Sequence, residues 1–177
     1  MRTKKVTVVP YDSTWNQAFA EIRAEIAEAL GDLAIGIEHV GSTAVEGLPA
    51  KPCIDLDVII SDYSVFPEVV RKLEAIGYVH EGNLGIPDRE AFRYTDKPHL
   101  LTHHLYVCPQ HSRELHRHIT FRDFLRANPE AAQAYGRVKQ EGAARFPQDI
   151  DGYIRYKSQC IARLYGQCGL SEGDDPR

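Results

Sequence analysis

Residues 53–60 read Cys-Ile-Asp-Leu-Asp-Val-Ile-Ile, and this stretch decides what kind of fold the chain can adopt. An apolar run of this length, broken only by two aspartates, predicts a buried β-strand. Side chains alternate between the faces of a strand, so Asp55 and Asp57 share one face while Leu56 and Val58 share the other. Two neighbouring carboxylates repel each other unless a cation or a shared proton lies between them. The strand therefore predicts a divalent-metal site, although an Asp-X-Asp pair by itself is also typical of a solvated strand face.

Upstream of this strand, residues 39–43 read His-Val-Gly-Ser-Thr and predict a strand that runs into a tight turn. Gly41 lets the backbone approach a ligand closely, and Ser42 adds a hydroxyl to the backbone N–H groups that can hold a phosphate. Twelve residues separate Ser42 from Asp55. Mg²⁺ suits the carboxylate pair, because it prefers carboxylate oxygens and usually completes its shell with substrate phosphates. The two features together predict a Mg²⁺ site beside a phosphate site, with Mn²⁺ as the alternative metal.

A Gly-Ser pair followed at this spacing by alternating hydrophobic and aspartate residues resembles the signature of the nucleotidyltransferase superfamily, which has the polymerase-beta-like fold. More narrowly, four segments are similar to the GrpB family: residues 39–52, 55–58, 104–107 and 121–129. The resemblance spans roughly residues 5–165, which is nearly the whole chain. It implies a mixed β-sheet with the metal and the nucleotide bound at the Gly-Ser and Asp-X-Asp motifs.

The resemblance also implies a role for each residue of the two motifs. Asp55 and Asp57 are expected to hold the metal ions that activate an attacking hydroxyl and neutralise charge on the phosphates. Gly41, Ser42 and Thr43 are expected to hold the triphosphate through their backbone amides and the serine hydroxyl. The expected ligand is thus a nucleoside triphosphate such as ATP.

Basic side chains are also needed, since a nucleoside triphosphate brings several negative charges. Lys51, close before the aspartate strand, can reach a phosphate as a point charge. The family resemblance places an arginine at about Arg89. Lys157 and Tyr153 lie four residues apart, hence on one helix face, and the GrpB pattern has similar residues there. A solvated surface position is the alternative for each of these basic residues.

Many catalytic members of the superfamily have a third carboxylate on a later strand, and here the matching residues 102–107 contain no acid. His104 occupies the expected place, as it does in the GrpB resemblance. Histidine can ligate a metal or act as a base, but it suits Mn²⁺ or Zn²⁺ better than Mg²⁺. Either another acid such as Glu90 substitutes, or the protein binds nucleotide without transferring it. His39 is a further candidate for a mixed histidine and carboxylate site.

The order of predicted elements fixes the fold class. A first strand at residues 5–10 precedes a helix with one apolar stripe: Trp15, Phe19, Ile22, Ile26 and Leu30. Two strands, a helix capped by Ser64, several short strands and three helices follow. This order indicates α+β, a mixed sheet with helices packed on one side and an added C-terminal helical bundle. We expect a nucleotidyltransferase-like core at residues 1–110, a helical region at 111–170 packed on it, and a flexible tail at 171–177.

Composition excludes several classes of protein. The chain has 177 residues, of which 43% are hydrophobic and 26% charged, as in ordinary globular domains. Its net charge of -4 argues against a general nucleic-acid binder, which usually has a basic surface. No apolar stretch reaches the roughly 20 residues of a membrane span, and the start of the chain does not match a signal peptide. The sequence therefore predicts a cytoplasmic protein without membrane association, and the scattered spacing of its four cysteines predicts no disulfide or zinc framework.

These observations favour a metal-dependent nucleotidyltransferase that moves a nucleoside monophosphate from a triphosphate to a small-molecule or protein acceptor. A catalytically silent nucleotide-binding or partner-stabilising domain is the first alternative. The absent third acid favours it, and so does the resemblance, because GrpB-like domains also occur fused behind dephospho-coenzyme A kinase. A second alternative is an enzyme that adenylates a carboxylate in order to form an amide or an ester.

Overall fold

A computed structural model describes residues 5–170 of the chain. The helices are α1 (Thr14–Leu30), α2 (Phe66–Ala75), α3 (Arg113–Ala127), α4 (Pro129–Arg145) and α5 (Ile150–Gln167). The strands are β1 (Gly36–Val40), β2 (Ile54–Ile60), β3 (Val79–Gly82), β4 (Glu90–Arg93) and β5 (His103–Pro109). The predicted tail at residues 171–177 lies outside the described residues.

The five strands form one mixed sheet in the order β1-β2-β5-β4-β3. Only the β2 and β5 pair is parallel, and the other three pairs are antiparallel. Val40 at the end of β1 pairs with Asp55, and Asp55 pairs in turn with His104 of β5. The α+β class with a mixed sheet is confirmed, and its register brings the Gly-Ser turn, the aspartate strand and the histidine strand side by side.

One face of the sheet packs on α1 and α2 and forms the main hydrophobic core. Leu56 and Val58 of β2 are fully buried there, as expected for the apolar side of an alternating strand. The predicted stripe of α1 faces this core, with Trp15, Ile22, Ile26 and Leu30 buried and Phe19 partly buried. Burying an aliphatic side chain contributes about 1.5–3 kcal/mol, so this stripe anchors α1 to the sheet.

The opposite face of the sheet receives the helices of the C-terminal region. Asp57 points to this side, where its carboxylate accepts a hydrogen bond from His118 of α3. A second apolar cluster joins the loop after β1 to these helices through Val45, Leu48, Leu125 and Leu164. Helices therefore cover one face, and a C-terminal helical bundle is added on the other, as the sequence predicts.

Two local predictions differ from the structure. Residues 5–10 form no regular strand. Only Val9 pairs with Ala50, and the next residue, Pro10, has no N–H with which to continue the pairing. Helix α2 begins at Phe66, because residues Tyr63–Val65 form a 3₁₀ turn and the Ser64 amide donates to the carboxylate of Asp62. Across residues 5–170, no helix has the length and apolar character that a membrane span requires.

Candidate functional site

A cavity of about 260 Å³ lies between the turn after β1, the ends of β2 and β5, and helices α4 and α5. Six of the residues that the sequence predicts for the site line it: Ser42, Thr43, Lys51, Asp55, His104 and Lys157. Gly41, Asp57 and Arg89 are not among its lining residues. The structure thus brings six of the nine predicted residues together at one cavity, and the other three lie next to the cavity without lining it.

The turn after β1 is shaped by Gly41. Its φ of 73° lies in the left-handed region that glycine favours, and a Cβ here would lie only 2.5 Å from Oδ2 of Asp55. Ser42–Ala44 then form a 3₁₀ turn, whose first N–H groups have no partner within the turn. The Gly41 backbone therefore lies against the Asp55 carboxylate, so a phosphate held at this turn and the carboxylate could bind the same metal ion.

Thr43 is held from the other face of the sheet. Its hydroxyl is 2.9 Å from Nε2 of His39, and the His39 ring stacks on Phe19 of α1. Burial lowers the pKa of His39 to about 4, with Arg126 adding to the effect, so the imidazole is neutral. His39 therefore supports the turn through Thr43, from the face of the sheet that packs on α1. This structural role replaces the predicted one, in which His39 joined the aspartates in a mixed metal site.

His104 lies beside Asp55, as the parallel register requires. Nδ1 of His104 donates to Oδ1 of Asp55 at 2.9 Å. This hydrogen bond raises the pKa of His104 to about 10, with the thiol of Cys53 adding to the effect. The imidazole is thus charged at neutral pH in this arrangement and holds the Asp55 carboxylate in place.

Asp57 lies behind Asp55 and is fully buried. Nδ1 of His118 donates to its Oδ2 at 2.6 Å, and Nε2 of His118 lies 3.0 Å from Oε1 of Glu114. Burial opposes the charge on His118, but its bonds to Asp57 and Glu114 outweigh burial and raise its pKa to about 9. Burial raises the pKa of Asp57, an effect that His118 opposes. The acid connected to the aspartate pair is therefore Glu114, through His118, whereas Glu90 bonds to His80 and Tyr63 instead.

The fit of the aspartate pair to a divalent cation rests on one orphaned atom. Oδ1 of Asp57 is buried and has no hydrogen-bond partner, although a buried carboxylate oxygen normally has one. The neighbouring Asp55 raises the pKa of Asp57, which is the repulsion expected of adjacent carboxylates. Hard carboxylate oxygens suit Mg²⁺ or Mn²⁺. Across residues 5–170 the protein offers no cluster of three or more His, Cys, Asp or Glu side chains suited to a metal, so water or substrate oxygens would have to complete the shell of an ion at this pair.

Two lysines reach the cavity from the C-terminal helices. Lys139 of α4 is only 4% exposed, and its Nζ donates to Oγ of Ser42 at 2.7 Å. Lys157 of α5 lies with its Nζ 4.7 Å from the centroid of the Tyr153 ring. Burial lowers the pKa of both lysines, and the charge of Lys157 contributes to lowering that of Lys139 to about 7. A buried and a half-buried lysine at one wall form a site that suits an anion, because an anion would stabilise the charged form of both.

Arg89 lies on the other side of the aspartate pair. Its guanidinium carbon is 4.3 Å from the centroid of the Tyr106 ring on β5. Tyr106 pairs with Asp57 across β2 and β5, so its side chain shares the face of the aspartates. In the order of the sheet, strands β2 and β5 therefore lie between Arg89, which precedes β4, and Ser42, which follows β1.

Sequence reasoning did not select His118 or Glu114 as site residues, and for Lys139 it gave only a similarity to the GrpB pattern, without a place in the site. A signal for Lys139 is its place four residues after Tyr135 on the buried stripe of α4, where a charged residue is unusual. His118 and Glu114 are likewise four apart and both buried or partly buried on α3, a helix with few buried apolar residues. Polar residues on the inward face of a helix are thus the pattern that could have identified all three.

Comparison with known protein families and sequences agrees on one family. Residues 5–167 match the family model described as GrpB protein. UPF0157 protein PA4798 of Pseudomonas aeruginosa is 37% identical over 165 residues, which cover 92% of this chain and 67% of that protein. UPF0157 protein YqkA of Bacillus subtilis is 32% identical over 158 residues, or 89% of this chain, and the chain spans 46% of its length. The dephospho-CoA kinase of Mycolicibacterium paratuberculosis is 29% identical over 183 residues, which cover 90% of this chain and 45% of the kinase.

Solved structures agree with the fold. The crystal structure of conserved protein GrpB from Enterococcus faecalis superposes with a TM-score of 0.80 at 32% identity and covers 92% of this chain and 96% of its own. The Cid1 poly (U) polymerase with MgGTP bound superposes with a TM-score of 0.55 at 11% identity, over 78% of this chain and 45% of that one. At this low identity the second likeness concerns the fold alone, which is nucleotidyltransferase-like.

Proposed function

The chain belongs to the GrpB family and has a nucleotidyltransferase-like fold, and from this premise we propose that it is a metal-dependent nucleotidyltransferase. It transfers a nucleoside monophosphate from a nucleoside triphosphate, ATP among them, to a small-molecule or protein acceptor. The observation that carries the proposal is the cavity in which Ser42, Asp55, Lys139 and Lys157 meet. Placing the buried Lys139 beside the half-buried Lys157 costs free energy unless an anion binds between them.

Binding of the triphosphate is assigned to the wall made by the turn and the two helices. The N–H groups at Ser42 and Thr43 and the Ser42 hydroxyl donate to phosphate oxygens. Lys139 and Lys157 offset the phosphate charge from the opposite side, and Lys51 adds a further positive charge at the cavity. Because the phosphates replace the missing counter-charge, their arrival also relieves the repulsion between the two lysines.

Asp55 and Asp57 are the residues that would hold Mg²⁺, or Mn²⁺, beside these phosphates. When bound, the ion offsets charge on the phosphates and activates the attacking group. Asp55 is held by His104, and Asp57 is held by His118 with its Oδ1 left free for the ion. The protein's own part is thus to fix two carboxylates at one edge of the phosphate site before the substrate arrives.

Asp55 is the residue at which the proposal is tested. Pyrophosphate release is measured from each of the common nucleoside triphosphates with Mg²⁺ or Mn²⁺, in the presence of a pool of small metabolites. We expect Asp55→Asn to lower the rate at least about 100-fold, because the lost charge acts directly on the metal site. Asp123→Asn is the control, because Asp123 is exposed on α3. Equal rates for the wild-type chain and Asp55→Asn would refute the proposal.

A silent nucleotide-binding or partner-stabilising domain is the second candidate function. His104 in the place of a third carboxylate favours it, and so does the match to part of a dephospho-CoA kinase. Such a domain would bind nucleotide with saturation but release no pyrophosphate. The adenylation of a carboxylate differs from both, since it predicts pyrophosphate release only when a carboxylic acid is present.

A further inference from the structure

Arg89 is a partly buried cation whose partner is absent from the described part of the chain. Its Nε is buried without a hydrogen-bond acceptor, and its guanidinium lies over the ring of Tyr106. No carboxylate among residues 5–170 forms an ion pair with it. Burying part of a guanidinium removes water from it, which costs free energy. An aromatic ring attracts a cation less strongly than a carboxylate or phosphate does, so contact with Tyr106 alone does not offset that cost.

The carboxylates on either side of Arg89 in the chain are turned to other partners. Asp88 lies 3.8 Å from Nε2 of His111, and Glu90 accepts from Nε2 of His80 at 2.8 Å and from Tyr63 at 3.2 Å. The Nε of this half-buried arginine is therefore left without an acceptor, although the segment contains two acids. A guanidinium in this state is suited to a carboxylate or a phosphate, both of which accept its forked N–H groups.

The position of Arg89 relates this charge to the proposed reaction. Across the sheet the order is the Ser42 turn after β1, Asp55 and Asp57 on β2, Tyr106 on β5, and Arg89 before β4. The ring of Tyr106 has its centroid 6.4 Å from that of His104, which bonds to Asp55. The aspartate pair thus lies between the phosphate wall and Arg89. In phosphoryl and nucleotidyl transfer the attacking and leaving groups lie roughly in line, on opposite sides of the reacting phosphorus.

We propose that Arg89 and Tyr106 form the binding site for an anionic group, a carboxylate or a phosphate, carried by the acceptor. This inference rests on the proposed function. A hydroxyl of the anchored acceptor attacks the α-phosphorus, a new P–O bond forms, and the bond between the α-phosphorus and its bridging oxygen breaks. Pyrophosphate leaves with the electron pair of that bond, and the proton of the hydroxyl passes to water. The acceptor is accordingly an anionic small molecule rather than a neutral alcohol.

Binding and turnover are measured separately in order to test this site. In the binding arm, glycerol, glycerate and glycerol 3-phosphate are titrated by calorimetry into protein saturated with a non-hydrolysable nucleotide analogue and Mg²⁺. We expect the two anions to bind and glycerol not to bind, with a loss of about 10- to 100-fold in anion affinity for Arg89→Gln. Arg93→Gln is the matched control, because Arg93 is an exposed arginine on β4 that interacts with Glu81. In the turnover arm, pyrophosphate release is measured with the same three compounds and variants.

The outcomes separate the two proposals. Anion binding that disappears in Arg89→Gln while nucleotide affinity is unchanged supports the site. Pyrophosphate release that is faster with glycerate or with glycerol 3-phosphate then shows whether the acceptor's anionic group is a carboxylate or a phosphate. Anion binding without any pyrophosphate release keeps the anion site and overturns the transferase. Release that is equal for glycerol and the anions, or unchanged in Arg89→Gln, overturns the anion site and keeps the transferase. Equal binding by Arg89→Gln and Arg93→Gln likewise overturns it.

Discussion

At the scale of single residues, we expect the charge of Lys139 to control how nucleotide binding depends on pH. Burial and the charge of Lys157 lower its pKa to about 7, while Asp55 acts in the opposite direction. Lys139 is therefore charged below pH 7 and neutral above it in the free protein, and a bound phosphate favours the charged form. We expect nucleotide affinity to fall on the order of tenfold between pH 6.5 and pH 8, because binding then requires the uptake of a proton. Calorimetric titration with Mg²⁺ and ATP across this range measures the effect.

Lys139→Met is the variant that assigns this pH dependence to one group. Methionine keeps most of the buried volume and removes the charge, so we expect affinity at pH 6.5 to fall by about 10- to 100-fold. The remaining affinity should vary much less between pH 6.5 and pH 8. Lys72→Met, on α2 across the sheet, is the control. A pH profile in Lys139→Met that parallels the wild-type profile would contradict the assignment.

At the scale of elements, the close packing of α4 on the loop after the Gly-Ser turn places Lys139 in the site. A Cβ at Gly136 would lie 2.8 Å from Cδ of Pro49, a rigid ring that cannot turn away. Gly136→Ala is expected to destabilise the protein by about 1–2 kcal/mol, because overpacking outweighs the better helix propensity of alanine. It should also weaken nucleotide binding, since Lys139 lies one turn further along the helix. Urea unfolding and calorimetry measure the two effects.

Gly166→Ala in α5 is the matched control for this packing argument. Apart from its chain neighbours and the adjacent backbone of its own helix, no atom lies within 4 Å of the position where its Cβ would be placed. Alanine there should stabilise the protein by about 0.5–1 kcal/mol through helix propensity and leave nucleotide binding unchanged. Similar stability changes in the two variants would show that α4 does not press on Pro49 as described.

At the scale of the whole molecule, we expect the sheet and the C-terminal helices to unfold together. Two hydrogen bonds join the layers: His118 donates to Asp57, and Lys139 donates to Ser42. Trp15 is the single tryptophan and is buried between α1 and the sheet, so its fluorescence reports on that layer, whereas far-UV circular dichroism reports mainly on the helices. The two urea transitions should coincide, as in a single cooperative unit. A separate helical transition would instead mean that residues 111–170 unfold independently of residues 5–110.

Particular elements show how far the sequence predicts this molecule. The strand that contains Asp55 and Asp57 and the apolar stripe of α1 are correct, because periodicity reports directly which side of an element is buried. The strand expected at residues 5–10 is wrong, because a single bridge to Ala50 depends on where a distant loop lies and leaves no pattern in the local sequence. The family resemblance predicts that the Gly-Ser turn and the aspartate pair belong to the site. It does not predict which side chains form hydrogen bonds with them.

The sequence by itself determined the α+β class, the family and the two motifs, since these depend on residue order and short-range periodicity. Only the tertiary structure decided what surrounds the motifs. Lys139 and His118 lie 97 and 61 residues from the groups they bond, and Arg89 meets Tyr106 only through the pairing of β4 with β5. The physical reason is that charge, burial and hydrogen bonding at a site depend on side chains far apart in the chain, which only the packing of layers brings together.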